Sequence, residues 1–307
     1  MTMSPIDKLV TGNIELLPEK YLPPHHAGLD EYHADIGIIG GSGVYDTTLL
    51  TNAKDYNIKT PYGETSSPIT IGVLGDKRVA FIARHGKKHT ITPHDVNNRA
   101  NMWAFRMLGI QVVLGVSAVG SLREDIKPGD IVLPDQFFDR TQGRASTYFQ
   151  KSKIPDENSE RVYHVSAADP FCAETRETIG ESAKNLAIKY HDGGKLIVIN
   201  GPRFSSKAES EVFRGWGMDI IGMTTYPENM LAKELGMCYA SMSVVSDYDV
   251  WREETEEVSM AGVHASVADS IEDTKIVLSH TIQAIGLKLN KSCPDHSSLE
   301  GACATSD

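Results

Sequence analysis

Cysteine is scarce in this 307-residue chain: there are four, Cys172, Cys238, Cys293 and Cys303. They are scattered, without the paired spacing of a zinc-ligand set or a disulfide framework, so they read as reduced thiols of a cytosolic protein. Positive charge is also short. Against 41 acidic residues stand 30 Lys and Arg, a formal net charge of −11. This excludes the basic face that nucleic acid or an anionic membrane would require. No apolar run reaches the ~20 residues of a spanning helix. The opening residues, Met1-Thr-Met-Ser-Pro-Ile-Asp-Lys8, lack the charged-then-apolar order of a secretory signal. The expected location is cytoplasmic, with the nucleus as an additional compartment. His85, His89 and His94 are not tied to carboxylates or thiols as a zinc site would tie them, so neither a metal nor an organic cofactor is expected.

What remains is ordinary globular composition, 40% hydrophobic and 23% charged. Residues 1–33 carry several prolines and no clear periodicity and read as an extension, and residues from 291 read as a small, polar, mobile tail. Between them, over 34–290, strand and helix signals alternate without an internal repeat or a linker. Strands are predicted at 34–40, 69–74, 78–83, 112–117, 131–133, 195–200, 219–222 and 237–245, with a Gly75-Asp76 hairpin turn. Helices are predicted at 93–108, 171–190, 227–235 and 261–287. Another runs from Ser206 to Trp216, opened by a Ser206/Glu209 capping box. The fold class this implies is a single three-layer α/β/α domain with a mixed central sheet flanked by helices.

Two carboxylates, Asp247 and Asp249, close the apolar run 237–245. Residues two apart on an extended chain project to one side, and open α/β sheets bind ligands at such strand ends. Burying the pair is costly unless a ligand takes a proton from one carboxyl and donates a hydrogen bond to the other. An aminopurine does both. An isolated Asp-x-Asp, however, is more often a solvated turn or a divalent-metal site.

Gly40-Gly-Ser-Gly43 follows a strand, but a dinucleotide fingerprint would need a third glycine where Asp46 stands, and no Gly-Lys-Ser/Thr follows for a P-loop. A tight loop with exposed N–H groups and the Ser42 hydroxyl suits a single anion. Arg84-His-Gly-Lys-Lys-His-Thr90 puts a guanidinium fork and an imidazole at another strand end, and Ser117-Ala-Val-Gly-Ser121 adds a hydroxyl and small residues at a third. Together these loops predict a single-phosphate site beside the carboxylate pair.

The chain resembles the S-methyl-5′-thioadenosine phosphorylase family, a branch of the trimeric purine nucleoside phosphorylases. Its motifs lie in order over about 35–287: Gly37-Ile-Ile-Gly-Gly-Ser-Gly43, Arg84-His-Gly86, Gly120-Ser-Leu-Arg-Glu124, Pro128-Gly-Asp-Ile-Val132, Gly201-Pro-Arg-Phe-Ser-Ser-Lys-Ala-Glu-Ser210, Met223-Thr-Thr-Tyr-Pro-Glu228 and Ser246-Asp-Tyr-Asp249. The resemblance implies a phosphate site of Ser42, Arg84, His85, Ser117, Ala118 and Thr224. It implies a nucleoside site of Phe204, Met223, Asp247, Tyr248, Asp249 and Val263, with His164 lent to the neighbouring subunit of a homotrimer. Ser205 and Met260 match positions linked to specificity. Ser42 and Ser117 stand where the family usually has threonine, Val119 where animal members have cysteine, and Gly222 where asparagine is frequent.

The implied reaction is phosphorolysis of methylthioadenosine, or a related adenine nucleoside, to adenine and 5-methylthioribose-1-phosphate. Inorganic phosphate is the co-substrate, and Asp247 the general acid. The runner-up is a phosphorylase of broader or 6-oxopurine specificity, acting on inosine or methylthioinosine. A hydrolytic nucleosidase would not need the phosphate loops, and neither would a nucleoside-binding regulator.

Overall fold

A computed structural model of the chain describes residues 32–41, 49–149, 163–252, 260–286, 293–298 and 302, with the backbone alone for 260–261, 264–269 and 296. The N-terminal half contains β1 (Ile36–Gly40), β2 (Thr51–Tyr56), β3 (Lys59–Thr60), β4 (Gly63–Glu64), β5 (Ile69–Leu74), β6 (Lys77–Ala83), α1 (Asn98–Met107) and β7 (Val112–Ser121). Next come β8 (Ile131–Leu133), β9 (Gln136–Arg140), α2 (Ala173–Asn185), β10 (Tyr190–Asp192), β11 (Lys195–Ile199) and α3 (Lys207–Gly215). The chain continues through β12 (Ile220–Gly222), α4 (Thr225–Glu234), β13 (Cys238–Asp247), α5 (Met260–Ala284) and a 3-10 turn, Pro294–Ser297.

One mixed sheet runs in the order β10-β8-β13-β7-β1-β6-β5-β2. Its centre is parallel: β1 pairs with β6 and β7, and β13 with β7. These strands are buried on both faces, which is why they read as continuous apolar runs. Helices α1 and α4 cover one face through Met102, Phe105 and Leu231. Helices α2 and α5 cover the other through Ile179, Val277 and Ile282. The architecture is the single three-layer α/β domain expected.

The second half of β7 stays paired with β13 but exchanges β1 for β12, antiparallel, at Gly120↔Ile221, and β12 leads on to β11 and β9. The strand therefore joins the main sheet to a smaller wing, and the sheet opens into a mouth between them. Strand β7 continues four residues beyond the expected end at Ser117, because its extension finds this second partner. Strands β2, β3, β4, β9 and β10 were not expected; β10 lies in what reads as the end of the helix 171–190, which stops at Asn185. The mostly polar residues of β2, exposed along nearly its whole length, give no apolar signal. Within the stretch read as a mobile tail, Cys293 and Asp295 are buried against the domain. Of the stretch read as an extension, Tyr32 packs into the core.

Two packing constraints are testable. Strand β7 has glycine at 115 because the Tyr239 ring of β13 crosses it; a Cβ there would lie 2.0 Å from the hydroxyl oxygen. Gly115→Ala should lower the melting temperature, with an overpacking cost of about 1–3 kcal/mol; an unchanged melting curve would contradict this packing. At the end of α4, burial raises the Glu234 carboxyl from 4.5 to about 7, although it accepts the Tyr148 N–H at 2.8 Å. The folded chain thus binds more protons than the unfolded chain between these values. Its stability should fall as pH rises from 4.5 toward about 7. Denaturant titrations across that range should show the slope flattened in Glu234→Gln.

Candidate active site

The strand ends at the mouth converge on one cavity of about 340 Å³. It is lined by Arg84, His85, Ser117, Ala118, Thr224, Phe204, Ser205, Met223, Asp247, Asp249 and Val263. Gly41, Ile91, Pro93, Gly120 and Ile221 complete much of the wall. Segments more than two hundred residues apart in sequence thus meet because β1, β6, β7 and β13 lie side by side and in parallel. Tyr248 is not part of the lining: it packs edge-on against Trp251 at 5.8 Å, with the Arg252 guanidinium 4.7 Å from its ring. His164 is exposed and outside the cavity, its N–H bonded to the Ala302 carbonyl. Ser42 and the side chain of Met260 lie outside the described residues.

At one end of the cavity, Asp247 and Asp249 converge for a reason other than the one their spacing suggests. Ser246 forms a bulge in β13, so that the pairing with β7 jumps from Val245↔Val119 to Asp247↔Gly120. Bulges re-aim side chains in this way. Asp249 is not extended at all: it has φ 52° and donates its N–H to Asp247 Oδ1 at 2.7 Å. The two carboxylates are joined by a turn, closed under Gly120, where a Cβ would stand 2.9 Å from Asp247 Oδ1.

Burial raises the Asp247 carboxyl above its ordinary value, opposed by the Ser246 hydroxyl at 2.6 Å and the Asp249 N–H. Burial also raises Asp249, and the charge of Asp247 adds to the rise. The Ser205 and Ser210 hydroxyls lie near enough to oppose that rise, yet neither closes a hydrogen bond. Asp249 Oδ2, Ser205 Oγ and Ser210 Oγ are all buried without a partner. Buried polar atoms of this kind are costly without a hydrogen-bond partner, which water or a ligand can supply.

At the other end stands Arg84, 1% exposed. The fork expected to grip an anion is filled from within the protein. Nε and Nη2 both bond the Glu228 carboxylate, Nη2 also bonds Ile39 O at 3.0 Å, and Nη1 bonds Val116 O at 2.8 Å. Of the five guanidinium N–H groups, one on Nη1 is left, beside Gly41. Burial works against the Arg84 charge, but the adjacent Glu228 outweighs it and holds the guanidinium above its usual value. Glu228 is fully buried and also accepts the Tyr239 hydroxyl at 2.9 Å. Reading the sequence assigned Glu228 no role; an acidic residue in the first turn of a helix looks like a dipole partner.

His85 is pulled down to about 4 by burial and by the charge of Arg84. It is neutral at neutral pH, and its Nδ1–H donates to Ile91 O at 2.9 Å. That fixes the tautomer and leaves Nε2 as an acceptor. Ser117 Oγ is buried without a partner, and the Thr224 hydroxyl is not spent on capping α4. Val116 touches Arg84 and Gly120 touches Asp247, four residues along β7, so the two ends lie roughly 13 Å apart at strand rise. Between them the wall is apolar, with Ala118, Phe204, Met223 and Val263.

Glu228→Gln should cost about 3–5 kcal/mol of stability, because it leaves the Arg84 charge buried and unpaired. Chemical denaturation measures this; a loss below 1 kcal/mol would mean that the pair is not structural.

The sequence matches the Phosphorylase superfamily over residues 35–283. It is 49% identical over 271 residues to the S-methyl-5′-thioadenosine phosphorylase of Hyperthermus butylicus, covering 88% of this chain and 95% of that protein. A methylthioadenosine phosphorylase from an antarctic soil metagenomic library has a crystal structure that superimposes with a TM-score of 0.82. The two are 38% identical, over 90% of this chain and 94% of that one. A variant adenosine/methylthioadenosine phosphorylase of Schistosoma mansoni, solved in complex with methylthioadenosine, gives a TM-score of 0.78 at 34% identity, over 87% and 99% of the two chains.

Proposed function

The chain belongs to the phosphorylase superfamily, in its S-methyl-5′-thioadenosine phosphorylase branch, and from that premise we propose how its cavity performs phosphorolysis of methylthioadenosine. The observation that carries the reading is the set of unpartnered polar atoms at opposite ends of one cavity: Asp249 Oδ2 and Ser205 Oγ at one, Ser117 Oγ at the other. An adenine ring satisfies the first end and an inorganic phosphate the second, with the sugar against the apolar wall between.

Phosphate receives the Ser117 and Thr224 hydroxyls and the free N–H of Arg84. Neutral His85 accepts the O–H of hydrogen phosphate at Nε2, which orients the remaining oxygens toward C1′. As an oxygen of phosphate bonds to C1′, the C1′–N9 bond breaks and its electron pair moves into the purine. Charge on the ring collects at N7, where Asp247 delivers a proton. Adenine and 5-methylthioribose-1-phosphate result. No catalytic metal enters this scheme.

Burial pushes both carboxyls up, and the charge of Asp247 adds to the rise at Asp249. In the free site the two hydrogen bonds to Asp247 favour its ionised form, and that charge favours a proton on Asp249. A 6-amino group donating to Asp249 stabilises the ionised form of Asp249 and so moves the proton to Asp247. Substrate thus arms its own acid. The apolar Val263 and Ile91 suit a methylthio group at the 5′ end. His164 of an adjacent copy completes that end in a homotrimer.

Adenine release from methylthioadenosine should require added phosphate; release at the same rate without it would make the enzyme a hydrolase. Asp247→Asn should lower kcat by roughly 10²-fold or more while phosphate affinity is kept, and near-normal turnover would remove the acid role. Asp249→Asn should relax the preference for 6-amino over 6-oxo nucleosides, measured as the ratio of kcat/KM values. An unchanged ratio would sever Asp249 from base selection.

A further inference from the structure

Outside the cavity, the cysteines that look scattered along the chain are not scattered in space. Cys172 immediately precedes α2, Cys238 is the first residue of β13, and Cys293 precedes the 3-10 turn of the C-terminal segment. With Asp295 they form one cluster in which all four ligand atoms lie within 4.8 Å of one another. Each is buried: Cys172 is 4% exposed, Cys238 0%, Cys293 6% and Asp295 7%. Three elements remote in sequence are thus brought to one point by groups with little in common except affinity for a borderline-soft cation.

We propose that Cys172, Cys238, Cys293 and Asp295 form a tetrahedral site for a zinc-class divalent ion that fastens the C-terminal segment to the domain. Zinc–sulfur bonds of about 2.3 Å put neighbouring sulfurs about 3.8 Å apart. The Cys172 and Cys293 sulfurs stand at 3.7 Å. Those of Cys238 and Cys293, at 2.8 Å, are too far apart for a disulfide bond and part by about 1 Å on metal binding. A disulfide would use two of the sulfurs and strand the third beside a buried carboxylate; a cation uses all four groups.

Outer partners are present as well. The Thr175 hydroxyl donates to Cys172 Sγ at 3.2 Å, and Lys233 Nζ lies 3.2 Å from Asp295 Oδ1. Such second contacts orient the ligands of metal sites. Binding releases the three thiol protons: one divalent ion, three thiols and one carboxylate give a four-coordinate centre of net charge −2, partly offset by Lys233. All four ligands are protein groups, so no position is open for substrate, and the site is structural. It has a consequence for the neighbouring cavity. The same C-terminal segment supplies the Ala302 carbonyl that receives the His164 N–H, so the staple also positions the loop carrying His164.

The test is elemental analysis of the full-length chain purified under reducing conditions. Wild type and Cys303→Ser should carry about one zinc per chain, and Cys293→Ser and Cys238→Ser should each lose at least about tenfold of it. Cobalt(II) loaded in place of zinc should give thiolate-to-metal charge-transfer and tetrahedral visible bands, absent in Cys293→Ser. The wild-type spectrum stands even if a variant fails to fold. Metal-free wild type would overturn the proposal, whether peptide mapping then finds a disulfide among the three cysteines or three alkylatable thiols.

Discussion

Everything at the mouth of the sheet is arranged around one buried guanidinium. Arg84 leaves β6, bonds the carbonyls of Ile39 on β1 and Val116 on β7, and closes on Glu228 of α4, which in turn takes the Tyr239 hydroxyl of β13. A charge this deep survives only with its donors satisfied. The pair is therefore a pin through four parallel strands and a helix as much as part of a binding site. It sets the height of Ser117, one residue beyond Val116, and of Thr224, four residues before Glu228. It also spends most of the Arg84 donors and its charge within the protein, despite the basic look of the loop. What that end still offers is the Ser117 and Thr224 hydroxyls, one N–H of Arg84 and a neutral imidazole.

The carboxylate end follows from the continuation of the same strand pair. Because β7 and β13 run in parallel from Val112 and Cys238, a single bulge at Ser246 is enough to turn Asp247 onto Gly120. The turn at Asp249 then brings the second carboxylate alongside. Burial raises both, and the charge of Asp247 adds to the rise at Asp249, so the pair resists carrying two charges. The Arg84 end and the carboxylate end are thus fixed to one strand, and the length of β7 between Val116 and Gly120 sets the distance between them.

Much of this was legible in the sequence. Buried parallel strands are continuous apolar runs, the Ser206/Glu209 capping box is present as read, and Arg84, Ser117, Asp247 and Asp249 all meet in the cavity. What escaped depended on tertiary partners. The fork of Arg84 could not be assigned to Glu228, because nothing local says which of many acids a buried arginine will meet. The convergence of Asp247 and Asp249 was inferred from strand alternation, whereas a bulge and a left-handed residue achieve it. Cysteine spacing hid a cluster for the same reason: ligands drawn from three remote elements leave no short motif. The exposed strand β2 had no periodic apolar signal to read.

The central claim is that one cavity holds a purine on the carboxylate turn and a phosphate on the Ser117 end, with the sugar between. The most direct measurement is a crystal structure of the wild-type chain with adenine and phosphate. The account predicts N7 in hydrogen-bond contact with Asp247, the 6-amino group on Asp249, and phosphate oxygens on Ser117 Oγ and Arg84 Nη1. A purine ring bound away from the two aspartates, or an anion with no contact to Ser117, would contradict it.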